Sequence, residues 1–227
     1  MYWFYLACAI MVIEWYAAWR EWTMLNRVVK PAALLALNVW FWSLGQGEGP
    51  LFWFGIGLIF SLLGDILLLS HSLFLEGLTA FLLGHIFYIV SFNPTPPPLH
   101  WVSLLLIAGI GAGGFFIVRT IRRGLLRRAS GRKLRLAVVL YGSVISLMLL
   151  STLFTLLRPE WPPRSALLAC VGGALFVFSD SLLAFDRFVQ RLPHGRFWVM
   201  LTYHLGQIGL SSAMLVQAGI LKLSAGG

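Results

Sequence analysis

Charged side chains are almost absent from most of this chain. Its 17 Lys and Arg and 8 Asp and Glu make 25 charged residues, of which eight lie between residues 119 and 135, so the other 210 residues carry only 17. The charged fraction of 11% and the apolar fraction of 59% lie far from the roughly 25% and 45–50% of soluble domains. Such long, uncharged apolar stretches predict transmembrane helices and exclude both a soluble domain and a disordered chain.

The length predicts about eight spans in one all-α domain that covers residues 1–227. One span and its connection take about 25–30 residues, and clusters of Gly and Pro at 47–50, 93–98 and 162–163 mark connections. No basic residue precedes the first apolar segment, which predicts a retained span rather than a cleaved signal peptide. The predicted helices cover 2–19, 31–44, 51–70, 78–92, 101–118, 136–157, 165–185 and 197–221.

The basic residues predict the orientation of these spans. With eight spans both termini lie on one side, and the loops of the opposite side then carry 14 Lys and Arg against 3. The positive-inside rule places those loops, including a basic loop at about 119–135, in the cytoplasm, and both termini in the periplasm or lumen. The net charge of +9 therefore fits a membrane surface rather than nucleic acid. The compact loops suggest a bacterial inner membrane.

Ionisable residues within membrane spans are costly, and they usually mark function. At a rise of 1.5 Å per residue, the five found here all fall in the cytoplasmic third of the membrane, which predicts one polar cavity open to the inner leaflet. Simpler interpretations remain, because Glu14 adjoins Trp15 at an interface and His204 could make a structural hydrogen bond. The five residues are Glu14, Asp65, His85, Asp180 and His204.

Two segments around the aspartates are alike. Residues 64–68 read Gly-Asp-Ile-Leu-Leu and residues 179–183 read Ser-Asp-Ser-Leu-Leu, at an offset of 115 residues. In each half a His follows the Asp by 20–24 residues. The pattern suggests a 4+4 parallel repeat, in which both carboxylates would lie symmetrically about a central axis.

Further polar side chains accompany the aspartates. His85 and Tyr88 share one helix face, and Tyr203 and Gln207 share another, by their spacing of three and four residues. Lys30 directly precedes a proline at the start of the second predicted span. Its ammonium could anchor the helix at the interface or reach a headgroup phosphate.

Two carboxylates in a poorly hydrated site support acid–base chemistry. One can remain protonated as a general acid while the other acts as a base or stabilises a cation. Glycosidases use such a pair around an oxocarbenium-like state, and hydrolysis of a lipid vinyl ether passes through the same kind of ion. No metal or other cofactor is expected, because only two His lie within spans and the two Cys, Cys8 and Cys170, have no metal-binding spacing.

Several ordered motifs resemble the YhhN family of integral membrane proteins, which includes the lysoplasmalogenases. The resemblance covers roughly residues 30–210, and its motifs follow one another in the family's order. One position departs from the family pattern, because the family usually has an aromatic residue, commonly Tyr, where this chain has His204. The motifs are Lys30-Pro31, Leu63-Gly64-Asp65, the segments 80–88, 173–184 and 199–207, Arg187-Phe188 and Leu192-Pro193-His194.

The resemblance implies an eight-span hydrolase that cleaves the vinyl ether bond of lysoplasmalogen to a fatty aldehyde and glycerophosphocholine or glycerophosphoethanolamine. Asp65 and Asp180 are among the positions that match the family, and we expect them to be the catalytic acid–base pair. Lys30, with basic loop residues, would hold the phosphate of the lysophospholipid. The remaining polar residues would support the site by positioning water and polarising the ether oxygen, and they are His85, Tyr88, Tyr203, His204 and Gln207.

Other functions stay open from the sequence. Two intramembrane aspartates could carry protons in a transporter of lipids or small molecules, although their shared depth near one face argues mildly against this. The same site could hydrolyse a different lysolipid, and a lipid-binding protein without catalysis is a further alternative. The sequence does not indicate an oligomeric partner.

Overall fold

The structure is a computed structural model that describes residues 1–45, 47–127 and 131–222. Within these ranges the chain forms α-helices joined by short connections, with single 3₁₀ turns at His71–Leu73 and Thr155–Leu157. The helices are α1 (Tyr2–Trp19), α2 (Thr23–Leu44), α3 (Gly49–Leu67), α4 (Phe74–Phe92), α5 (Trp101–Arg127), α6 (Arg132–Phe154), α7 (Pro163–Phe188) and α8 (Gly195–Gln217).

The predicted all-helical membrane architecture is confirmed. Six of the helices in the described residues, α3 to α8, are long and apolar enough to cross a membrane. α1 and α2 fall short of this composition, since α1 carries Glu14 and several Trp and Tyr residues, and α2 carries Asn26, Arg27 and Lys30 in its first turns. The chain is therefore a multi-pass helical membrane protein.

Three helix boundaries differ clearly from the prediction, and the first of them affects the site. α2 begins at Thr23 rather than at residue 31 and contains Pro31. Proline removes one backbone hydrogen bond, and a membrane helix tolerates this loss because neighbouring helices stabilise it. α5 continues to Arg127 rather than ending at 118, and α6 begins at Arg132, because Arg and Lys are good helix formers. Most of the basic segment 119–135 is thus helical, and residues 128–130 lie outside the described ranges.

Close helix pairs build the bundle. The most extensive helix–helix contacts are those of α7 with α8 and of α3 with α4. A Cβ on Gly172 would lie 2.7 Å from the backbone nitrogen of Leu210 and 3.0 Å from the carbonyl oxygen of Gly206. A Cβ on Gly84 would likewise lie 3.0 Å from the carbonyl oxygen of Gly57. Glycine at these positions lets the backbones approach closely.

A buried arginine, Arg158, connects two loops at the end of the bundle where α5 and α7 begin. Arg158, 4% exposed, donates from Nη2 to the side-chain oxygen of Asn93 and to the carbonyl oxygen of Thr95, each at 3.0 Å. Its Nη1 lies 3.7 Å from Glu160 Oε1. These contacts hold the proline-rich connection 93–98 against the segment between α6 and α7.

We expect Arg158→Ala to destabilise the protein by about 2 kcal/mol, because hydrogen bonds from a charged group contribute about 1.5–3 kcal/mol and several are lost together. Thermal unfolding in detergent, followed by the loss of the monodisperse peak in size-exclusion chromatography, measures the change. Arg119→Ala, at an exposed position, is the control and should leave the transition in place. An equal effect of the two substitutions would contradict this account of the connection.

Candidate functional site

The candidate site is a narrow cavity of about 70 Å³ at the basic end of the bundle, the end where α2 and α8 begin and α3 and α7 finish. Apolar side chains, among them Leu78, Phe81 and Val138, form most of its wall. Its polar lining comes from five helices and consists of Lys30, Asp65, Tyr141, Ser179, Asp180, Arg187 and Tyr203.

Asp65 lies buried between a cation and a phenol. Lys30 Nζ is 3.0 Å from its Oδ1, and the Tyr203 hydroxyl donates to its Oδ2 at 3.0 Å. Because α2 begins eight residues earlier than predicted, Lys30 lies inside the bundle, where it is 8% exposed. Its ammonium is paired with Asp65 inside the bundle rather than exposed at an interface, and Lys30 also lines the cavity.

A chain of hydrogen bonds extends behind Tyr203. Gln207 Nε2 donates to the Tyr203 hydroxyl at 3.4 Å, and the Tyr88 hydroxyl donates to Gln207 Oε1 at 2.9 Å. Ser61 Oγ lies 3.3 Å from the same Tyr88 hydroxyl. Tyr88 and Gln207 do not line the cavity, and their hydrogen bonds connect α4 and α8 behind Tyr203.

Asp180 has a different environment from Asp65. Its Oδ2 accepts a hydrogen bond from the Tyr141 hydroxyl and lies 3.9 Å from His85 Nε2. His85 Nδ1 is 2.7 Å from the carbonyl oxygen of Phe81. A carbonyl only accepts, so Nδ1 carries the hydrogen, and a neutral His85 presents an unprotonated Nε2 to Asp180. No other cationic side chain lies within ion-pair distance of Asp180 among the described residues.

Tyr141 is the site residue that the sequence analysis missed. It lies on α6, a helix that contributes no ionisable residue to the predicted cavity, and its partner is 39 residues away. A tyrosine in an apolar helix commonly packs at a membrane interface, so the sequence gives no signal for this contact.

Glu14 and His204 form a separate cluster rather than part of one cavity. His204 Nε2 is 3.2 Å from Glu14 Oε2, and Trp15 Nε1 donates to His204 Nδ1 at 3.0 Å. Both members of this pair are fully buried, so Glu14 is not the interfacial residue that its neighbours suggested. Neither residue lines the cavity. His204 pairs with Glu14 and His85 lies beside Asp180, so neither predicted His is paired with the Asp of its own half of the sequence.

The donor set of the site suits proton transfer better than metal binding. Across residues 1–45, 47–127 and 131–222, no three His, Cys, Asp or Glu side chains come together in a way that could hold a metal ion. The cavity instead brings together two carboxylates, two phenols and one ammonium, with an imidazole beside Asp180.

Comparisons with known proteins agree over most of the chain. The profile of the YhhN family matches residues 25–214. The chain is 27% identical over 217 residues to lysoplasmalogenase TMEM86B of Mus musculus, covering 96% of this chain and 87% of the relative. It is 29% identical over 208 residues to lysoplasmalogenase TMEM86B of Sus scrofa, with coverages of 92% and 83%. No solved structure matches the chain.

Proposed function

The chain belongs to the YhhN family, and on that premise we propose that it is a membrane hydrolase that cleaves the vinyl ether bond of lysoplasmalogen. The products are a fatty aldehyde and glycerophosphocholine or glycerophosphoethanolamine. One observation carries this proposal: a buried carboxylate, Asp65, and a partly buried one, Asp180, have different partners and line a single, mostly apolar cavity. The names of the relatives, lysoplasmalogenase, support it independently.

The partners of the two carboxylates assign their roles. Asp65, beside the Lys30 ammonium, is the carboxylate, because a nearby cation favours the charged form. Asp180, with a phenol and a neutral imidazole as neighbours, carries the proton and is the general acid. Two carboxyl groups whose environments favour opposite protonation states are a common arrangement for acid–base catalysis.

The reaction then proceeds through an oxocarbenium ion. Asp180 transfers its proton to the β-carbon of the vinyl ether, and the π electrons form the new C–H bond while the ether oxygen stabilises the cation at the α-carbon. Asp65 stabilises this positive charge electrostatically. Water adds to the α-carbon, and its proton returns to the Asp180 carboxylate. The resulting hemiacetal moves a proton from its hydroxyl to the glycerol oxygen and breaks the C–O bond, which releases the aldehyde and the alcohol.

The lining of the cavity suits the apolar chain of a lipid. Its wall is largely apolar, with Leu78, Phe81 and Val138 beside the two carboxylates. The alkenyl chain lies between the helices and enters from the leaflet at the basic end. This end faces the cytoplasm by the positive-inside rule. All eight helices then cross the membrane, and both termini lie on the opposite side. The membrane is a bacterial inner membrane.

Equal spacings support the proposed 4+4 repeat. Gly57 precedes Asp65 by eight residues, as Gly172 precedes Asp180. A Cβ on Gly84 would contact the carbonyl oxygen of Gly57 and the backbone of Ser61. A Cβ on Gly206 would contact the carbonyl oxygen of Gly172 and the backbone of Phe176. Ser61 and Phe176 are separated by the same 115 residues as the two aspartates. In this arrangement His85 corresponds to Gln207, and both halves contribute to one site.

We expect Tyr141→Phe to lower kcat by roughly 10- to 100-fold, because it removes the hydrogen bond that orients the general acid. The ring is retained, so substrate binding and thermal stability should change little. Aldehyde release by the purified variant measures the effect, with Tyr16→Phe at an exposed position as the matched control. An unchanged kcat for Tyr141→Phe would remove this residue from the mechanism.

Three matched substrates test the proposed function. Purified protein receives a lysophosphatidylcholine analogue with a 1-alkenyl, a 1-alkyl or a 1-acyl chain, and released aldehyde and fatty acid are measured with and without a chelator. We expect aldehyde from the alkenyl lipid alone, with no effect of the chelator. Fatty acid from the acyl lipid would indicate a hydrolase of another lysolipid, and turnover of none of them would leave the proton-coupled transporter as the better account.

A further inference from the structure

A second and wider cavity adjoins the candidate site. It has a volume of about 700 Å³ and shares part of its wall with the narrow cavity, including Lys30, Phe74 and Met200. We call it the vestibule. Whereas the narrow cavity is mostly apolar, the vestibule carries four arginines from three segments, Arg27, Arg187, Arg191 and Arg196.

Two of these arginines already have partners. Arg191 Nη1 lies 3.0 Å from Asp186 Oδ2, and the Arg187 guanidinium lies over the Phe74 ring, 3.8 Å from its centroid. The Asp186 carboxylate also accepts from the backbone N–H of Leu192 at 2.7 Å. Asp186 is therefore held by Arg191 and the Leu192 backbone, and within the described residues it makes no ion pair with Arg27 or Arg196.

Arg27 and Arg196 differ from the other two. Neither makes an ion pair or a side-chain hydrogen bond with another residue in the described part of the chain, and they lie close enough for their positive charges to repel each other. Glu14 attracts Arg196, but that carboxyl group is buried and lies 3.2 Å from His204. Arg27 and Arg196 are exposed and line the same polar cavity, and guanidinium groups that no carboxylate engages are well suited to bind a phosphate group.

We propose that Arg27 and Arg196 bind the phosphate of the substrate's glycerophospho headgroup and thereby place the vinyl ether at the two carboxylates. This inference rests on the proposed function and adds the specificity determinant that Lys30, bound to Asp65, does not supply. The phosphate lies in the vestibule, and the glycerol backbone passes Lys30 into the narrow cavity.

The lengths agree. Arg196 precedes Tyr203 by seven residues on α8, which is about 10 Å along a helix. Six bonds separate the phosphorus from the α-carbon of the vinyl ether in an sn-1 lysolipid, about 7 Å when extended, as for two peptide residues. The difference between these two lengths is about 3–4 Å. This is roughly the distance from phosphorus to a guanidinium nitrogen, because the charge-assisted hydrogen bond from that nitrogen to a phosphate oxygen is about 2.8 Å long.

A pair of substrates with and without phosphate tests the inference. Arg27→Gln, Arg196→Gln and the double variant are assayed in neutral-lipid nanodiscs with 1-alkenyl-glycerophosphocholine and with 1-alkenylglycerol. For the phospholipid we expect KM to rise roughly 10-fold for each single variant and further for the double variant, because each loses a charge-assisted hydrogen bond. For alkenylglycerol KM should stay unchanged. Arg122→Gln, exposed and outside the vestibule, is the control.

A binding arm separates this inference from the proposed function. Displacement of radiolabelled 1-alkyl-glycerophosphocholine, which has no vinyl ether, is measured with glycerophosphocholine and with inorganic phosphate as competitors. Weaker binding of the alkyl lipid to the double variant supports the phosphate site even if no lipid is hydrolysed. If inorganic phosphate displaced the alkyl lipid and glycerophosphocholine did not, the vestibule would be a site for a free anion rather than for the headgroup. Equal losses for both substrates, or unchanged binding of the alkyl lipid, would overturn the inference.

Discussion

Replacing Asp180 with asparagine should reduce aldehyde release from lysoplasmalogen by roughly 10²–10⁴-fold, the usual contribution of a general acid or base. An amide cannot donate the proton that the β-carbon requires, yet it preserves the size of the side chain and can still accept from the Tyr141 hydroxyl. Asp180 makes no close ion pair with Lys or Arg within the described residues, and His85 Nε2 lies 3.9 Å away. The variant should therefore fold and bind substrate with little change in KM.

The control for Asp180→Asn is Glu76→Gln, which removes an exposed carboxylate from the first turn of α4. This variant should retain the wild-type turnover. Size-exclusion profiles and thermal unfolding of both variants show whether the fold is intact. If folded Asp180→Asn retained wild-type turnover, Asp180 would not be the acid and the proposed mechanism would be wrong.

The second large effect concerns Asp65 and its cation. Asp65→Asn leaves the Lys30 ammonium buried without its counter-ion, and removal of one partner from a buried pair costs about 3–5 kcal/mol. We expect this variant to lose both stability and activity, so its activity alone does not reveal the role of the carboxylate. The double variant Lys30→Met/Asp65→Asn removes both charges and should recover most of the stability, because neutral replacement of a buried pair is often tolerated.

Activity of the double variant separates structure from catalysis. The account predicts that it stays at least roughly 10²-fold below wild type, since the stabiliser of the oxocarbenium ion is absent. Thermal unfolding and aldehyde release are measured on the same preparations. Recovery of turnover together with stability would mean that the Lys30–Asp65 pair serves the fold alone.

The sequence predicted the helices well, because apolar length is a strong signal in a membrane protein. It also identified Asp65 and Asp180, which line the cavity, since charges inside spans are rare. Helix ends were less certain, as α2 and α5 show. Basic residues can continue a helix beyond the apolar core, and a proline inside a membrane helix does not have to end it.

The partners of the polar residues could not be predicted. Because α2 begins at Thr23 rather than at residue 31, Lys30 lies in the bundle next to Asp65 and not at the predicted interface. Shared depth suggested one cavity for five ionisable residues, but depth says nothing about angular position, and the structure separates Glu14 and His204 from the two aspartates. Tyr141 was missed because its role depends on how α6 packs against α7, which periodicity does not encode.

The most direct test of the central claim is the isotopic composition of the aldehyde formed in deuterium oxide. Protonation of the β-carbon adds one solvent hydrogen to the carbon next to the aldehyde group, so we expect one deuterium there by mass spectrometry after rapid chemical trapping. Unlabelled aldehyde incubated in the same buffer corrects for exchange. An aldehyde without deuterium would contradict cleavage through an oxocarbenium ion, and with it the role proposed for the two carboxylates.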